Sequence, residues 1–117
     1  MPSPGPFVAG KIEVDIAESP SPQRPGALGL DAIQEGLKNL PRWEIQGGKL
    51  HRLFEFPDFI AAFGFMSRAA LIAETLNHHP EWSNVYNRVD VLLTTHDAGG
   101  ISELDFALAK RLDALVD

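Results

Sequence analysis

An apolar run over residues 59 to about 77 constrains this 117-residue chain most. Pro57-Asp58 precedes it and Pro80 follows it. Within it Phe59, Ala62, Phe63, Met66, Ala70 and Ala73 fall on one helical face, and Phe65, Ala69, Ile72 and Leu76 widen that face. A stripe this broad suits a helix laid on a sheet. Its alanines favour helix and permit close approach. Asp58 is placed to cap its start.

The flanking segments say what sheet it covers. Before the helix, Trp43-Glu44-Ile45 and Leu50 to Phe56 are separated by Gly47-Gly48, a hairpin signal. After it, Trp82 to Tyr86 reads as a short strand and Asn87-Arg88 as a turn. Val89, Val91, Leu93 and Thr95 then alternate with Asp90, Leu92 and Thr94. A first helix is expected where Leu30, Ile33, Leu37 and Leu40 recur before Pro41. A last one is expected where Leu104, Leu108, Leu112 and Leu115 recur. Ser102 with Asp105 three residues on is a capping-box variant. The order is α-β-β-α-β-β-α. It predicts an α+β two-layer sandwich, a four-stranded antiparallel sheet with three helices on one face. Four short strands leave sheet edges, and pairing edges between subunits is one remedy, so a homo-oligomer is expected.

Residues 1–26 differ from the rest. Six of the nine prolines lie here, and proline cannot join a helix interior or a central strand. They read as a flexible tail, with residues 27–117 as the domain. Within the tail Ile12, Val14 and Ile16 alternate with Glu13 and Asp15, so docking as an edge strand is the alternative. There is no cysteine, which excludes a disulfide framework, a thiolate metal site and a cysteine nucleophile. A net charge of -6 disfavours direct nucleic-acid binding, for which a basic face is expected. No apolar run approaches the ~20 residues of a bilayer span, and the amino terminus lacks a signal-peptide pattern. The expected location is cytoplasmic, with no membrane partner.

Three of the four histidines, His78, His79 and His96, lie at element ends, while His51 stands apart on the second strand. Histidine exchanges protons near neutral pH. Glu74 and His78 are four residues apart, so they are expected to share a helical face, where a carboxylate would hold the imidazole in one tautomer. Asp105 falls in the first turn of the last helix. Such ends can meet around one pocket. Taken singly, these residues have simpler fates: a helix-end histidine is often a cap or solvated, Trp82 and Tyr86 core packing, Asp105 a first-turn carboxylate. Glu74, His78, His79 and His96 could also ligate a metal, but the spacing is not that of a zinc-helix motif and adjacent histidines point apart. Acid–base use ranks above metal binding.

The stretch Glu74-Thr75-Leu76-Asn77-His78-His79-Pro80-Glu81-Trp82, then Asn84 to Asn87, then Thr94-Thr95-His96, resembles the pterin-4a-carbinolamine dehydratase family. The likeness covers roughly residues 28 to 117. Glu74, His78, His79, Pro80, Tyr86, His96 and Asp105 fill the family pattern at the expected intervals. It implies an α+β sandwich assembled as a dimer or tetramer. It also implies loss of water from a 4a-hydroxytetrahydropterin to give a quinonoid dihydropterin, with no cofactor and no metal. By the same resemblance His78, His79, His96 and Glu74 are catalytic, and His79, Pro80, Trp82, Tyr86 and Asp105 contact or support the bound pterin. His78 and His96 are the acid–base candidates. Members of such families also serve as dimeric binding modules, as a transcription coactivator or a carboxylase assembly factor, so a protein partner is the alternative reading.

Overall fold

The Gly47-Gly48 pair does what the spacing predicts. Both glycines have positive φ (59° and 78°), which a two-residue hairpin turn matching the strand twist requires. In this computed structural model, which describes residues 25–117, that turn joins β1 (Glu44–Gln46) to β2 (Lys49–Glu55). The chain continues as α2 (Phe59–Leu76), β3 (Glu81–Val85), β4 (Arg88–Leu93), a 3-10 turn (His96–Ala98) and α3 (Glu103–Ala114), with α1 (Leu30–Leu37) ahead of the sheet. The tail's alternating segment, Ile12 to Ile16, lies outside the described residues.

The four strands form one antiparallel sheet in the order β1-β2-β4-β3, so β2 and β4 are central. Period-two alternation sorts their side chains. Leu50, Phe54, Val89, Val91 and Leu93 face the helices and are buried. There they meet Ala62, Phe65, Ala69 and Ala73 of α2 and Leu108, Ala109 and Leu112 of α3. Ile33 and Leu37 of α1 pack on the same cluster. Phe65 stacks between Phe54 and Phe56, with ring centroids 4.6 and 5.1 Å apart. Each such pair contributes about 0.5–1.5 kcal/mol beyond its burial. Arg52, alone among the core-facing residues of β2 in being charged, is neutralised by Asp113 and Asp117 at the end of α3. Asp113 also accepts from the Trp43 indole at 2.8 Å. This cluster ties α3 to the sheet.

Three local expectations change. The first helix stops at Leu37, and Leu40 is buried in the turn that follows rather than on the helix. The second hairpin turns at Tyr86-Asn87, one residue earlier than expected, because Arg88 already pairs with Val85. Tyr86 takes a positive φ of 52° there. Finally, α2 is long and apolar enough by composition to cross a membrane, at 18 residues or about 27 Å, against the expectation that no run approaches that length. In the structure one of its faces covers the sheet. The cap on α2 is as expected: the Asp58 carboxylate accepts from the Ala61 amide at 2.8 Å.

Candidate functional site

Asn77 decides how the histidine pair is displayed. It adopts the left-handed conformation (φ 49°, ψ 43°) and ends α2 at Leu76. The His78 amide then bonds back to Ala73 O at 3.0 Å. The chain reverses sharply, so the two imidazoles leave on different sides. His78 turns inward and is 5% exposed, whereas His79 stays in solvent. The expected Glu74–His78 pair therefore does not form. His78 is no longer on the helix, and Glu74 meets His79 instead, with Nε2 to Oε1 at 2.8 Å.

His78 finds its partner on α3. Its Nε2 donates to Asp105 Oδ1 at 2.5 Å. The other oxygen of Asp105 accepts from the Thr95 hydroxyl and from the Ser102 backbone amide, both at 2.8 Å. The Ser102 hydroxyl lies 2.7 Å from Thr95 Oγ1 and accepts from the Leu104 amide. The capping box read from Ser102 and Asp105 is present. Its carboxylate serves twice, closing the start of α3 and anchoring a histidine. Asp105 is fully buried behind His78 and does not line the cleft, so of the two expected roles, contact or support, its place is that of a support.

His96 follows β4, in the 3-10 turn, held where Thr95 pairs with Gly100. Its Nε2 donates to Glu81 Oε2 at 3.0 Å. Asn77, His78, His79, Thr94, Thr95, His96 and Asp97 line a cleft of about 200 Å³ between the end of α2 and the end of β4. Three of the expected residues thus converge. In all three rings a carboxylate, which accepts and does not donate when ionised, takes Nε2. The proton of each neutral ring is therefore on Nε2, which leaves the lone pair on Nδ1.

The other expected residues stand further off. Trp82 lies on the helix-facing side of β3, half-buried against the core, as packing would have it. Pro80 is half-buried after the histidine pair and does not line the cleft. Tyr86 is 62% exposed at the opposite end of β3 from Glu81, some 16 Å along the strand. Within this chain it is not brought to the cleft. Glu81 and Lys49 were missed. Glu81 Oε1 accepts from Lys49 Nζ at 2.6 Å, and the Lys49 ammonium first, then the His96 ring, holds the Glu81 carboxyl below its ordinary range. His51 lies on the helix-free face, bridged to Glu44 at 2.8 Å and Asp90 at 2.6 Å, apart from the cleft. The Glu44 contact was readable, since a two-residue turn at Gly47-Gly48 sets Glu44 opposite His51. Among the described residues, no group of three or more histidine or acidic side chains is arranged to hold a metal ion.

Comparison with known proteins agrees with the residue pattern. The family model for pterin 4 alpha carbinolamine dehydratase matches residues 27–115. A protein of Solibacter usitatus is 61% identical over 88 residues, covering 75% of this chain and 93% of its own. One from Synechococcus sp. WH7803 is 57% identical, covering 70% and 89%. Both bear the name pterin-4-alpha-carbinolamine dehydratase, in each case provisionally. A crystal structure from Brucella melitensis, described as a transcriptional coactivator/pterin dehydratase, superposes with a TM-score of 0.76 at 46% identity, over 79% of this chain and all of that one. The chain belongs to the pterin-4a-carbinolamine dehydratase family.

Proposed function

We propose that this chain is a hydro-lyase that removes water from a 4a-hydroxytetrahydropterin to give the quinonoid dihydropterin of tetrahydropterin recycling. The observation that carries this reading is the convergence of His78, His79 and His96 on one cleft, each with Nε2 tied to a carboxylate. The reaction needs two proton transfers and no change of oxidation state. An imidazolium protonates the leaving hydroxyl as the C4a–O bond breaks. A neutral imidazole takes the N5 proton as the C4a=N5 double bond forms, and water leaves. A ring with its lone pair on Nδ1 when neutral, and a proton there when charged, can do either. His78 and His96 are the acid–base pair in this reading, and His79 contacts the pterin edge. Asp105 and Glu74 orient the rings behind them.

Each placed proton-transfer group is worth about 10²–10⁴-fold. His96→Ala, folded by circular dichroism, is expected to lose that much of the acceleration of carbinolamine breakdown in a stopped-flow assay. Turnover equal to the unsubstituted protein would overturn the site assignment.

A homodimer or homotetramer belongs to the same proposal. It is supported by an apolar stripe that α2 turns away from the sheet, where Ile60, Phe63 and Leu71 are exposed. Isolated exposed apolar residues are ordinary, but a stripe along one helix marks a contact surface. The same stripe favours the second reading, a non-catalytic binding module for a protein partner.

A further inference from the structure

Of the three cleft histidines, His96 has least to hold it. His78 is packed in the core, and His79 is spanned by its own helix end. The His96 side chain is 79% exposed, and its Nε2–H bonds to Glu81. Glu81 begins the edge strand β3 and projects to the helix-free face, in register with Leu92 of β4. Lys49 also points to that face, from β2, on the far side of β4. The two strands are about 10 Å apart, so the lysine stem must cross β4 for Nζ to reach Oε1. The carboxylate is thereby held at both oxygens, by an ammonium on one side and an imidazole on the other.

We propose that Glu81 is a positioning residue for His96, and that Lys49 holds it in that role. The inference rests on the dehydratase reading for its effect on turnover, but not for the coupling itself. Glu81 stays ionised through the range where histidine titrates, and so can only accept. That fixes the His96 proton on Nε2 and leaves the lone pair on Nδ1. An exposed pair of this kind adds little to stability. Its consequence is for the direction and timing of proton transfer. The other charged or titratable groups around His96 are Asp97 in its own turn, His78 with Asp105 behind it, and His79 with Glu74 at the end of α2, all unchanged by substitution at Glu81 or Lys49.

The test compares Glu81→Gln and Lys49→Met with the unsubstituted chain. Two readouts are used: the pH profile of kcat/KM for carbinolamine dehydration, and proton NMR titration of the His96 ring. Glu81→Gln should lower kcat by roughly tenfold, short of the ~10²–10⁴-fold for loss of a proton-transfer group. KM should hold, because Glu81 does not line the cleft. The His96 titration and the matching limb of the profile should both move to lower pH, since the attracting anion is gone while Lys49 remains. Lys49→Met, which removes a repelling cation, should move them to higher pH, and Glu81→Asp should restore part of the lost rate. Titrations superimposable across the three proteins would overturn the proposal. Titrations that shift as stated in a protein without dehydratase activity would sustain the coupling and refute the function.

Discussion

Replacing Asp105 with asparagine tests the centre of the site with one atom. The aspartate is fully buried and accepts three hydrogen bonds, from His78 Nε2–H, the Thr95 hydroxyl and the Ser102 amide. An asparagine has one accepting oxygen and one donating amide. If its NH2 faces Thr95 and Ser102, it meets a backbone N–H that cannot turn away. If it faces His78, it meets Nε2–H, and that conflict is relieved only when the ring moves its proton to Nδ1. The second orientation is cheaper, so the variant should fold with His78 in the wrong tautomer. It loses a charge-assisted hydrogen bond in the interior, worth about 1.5–3 kcal/mol. For a domain of under 100 residues, 1 kcal/mol moves the midpoint by about 4–8 °C, so a fall of roughly 6–24 °C is expected. Urea unfolding followed by tryptophan fluorescence measures the free energy, with Trp43 buried beside β1 as reporter. Dehydration measured on the same folded sample should fall by about 10²-fold or more, because Nδ1 can no longer accept. Unfolding free energy within about 0.5 kcal/mol of the parent, with full turnover, would refute the account of Asp105 as the acceptor that fixes His78.

Two further outcomes follow from the geometry. Burial opposes a charge on His51, but the hydrogen bonds and charges of Asp90 and Glu44 outweigh it and raise its pKa from the ordinary 6.5. A raised histidine contributes stability that is complete below the unfolded value and is lost as pH rises through the folded one. The stability difference between the parent and His51→Gln, from urea titrations, should therefore be larger near about pH 5.5 than near about pH 8. A difference that is flat with pH counts against the bridge. Asn77→Ala should cost about 1 kcal/mol more than Asn77→Gly, because alanine resists the left-handed conformation at φ 49° and glycine does not. Equal unfolding midpoints for the two would mean that the backbone there does not depend on the residue.

What was legible in the sequence was whatever depends on period and punctuation. The length of α2, the Gly47-Gly48 turn and the Ser102–Asp105 cap are local, and each is found where the residues predict it. The sheet-covering stripe of α2 is narrower than its apolar positions suggest: Ala62, Phe65, Ala69 and Ala73 are buried, while Phe59, Phe63 and Ala70 are exposed. The histidine cluster was legible as a set of positions. Its wiring was not. Which carboxylate serves which ring depends on Asn77 leaving the helix; asparagine is one of the residues that end helices in the left-handed conformation, but Pro80 three residues on offered a competing stop. Glu81 and Lys49 escaped for another reason. They are 32 residues apart and meet across an intervening strand, and strand order is not written in alternation.

The consequence of Asn77 reaches further than helix ending. Had α2 run on through His79, Glu74 and His78 would have shared a face, as their spacing suggests. The left-handed turn at one residue instead gives each histidine its own carboxylate from a different place: Asp105 from α3, Glu74 from α2. Adjacent histidines thus acquire unlike surroundings, one in the core and one in water. Groups of the same chemical type can divide acid and base duties only if their environments differ. His96, on an edge turn with Glu81, supplies a third environment. The chain obtains these three settings from one conformational choice at Asn77, one helix cap that doubles as an anchor, and one lysine reaching across a strand.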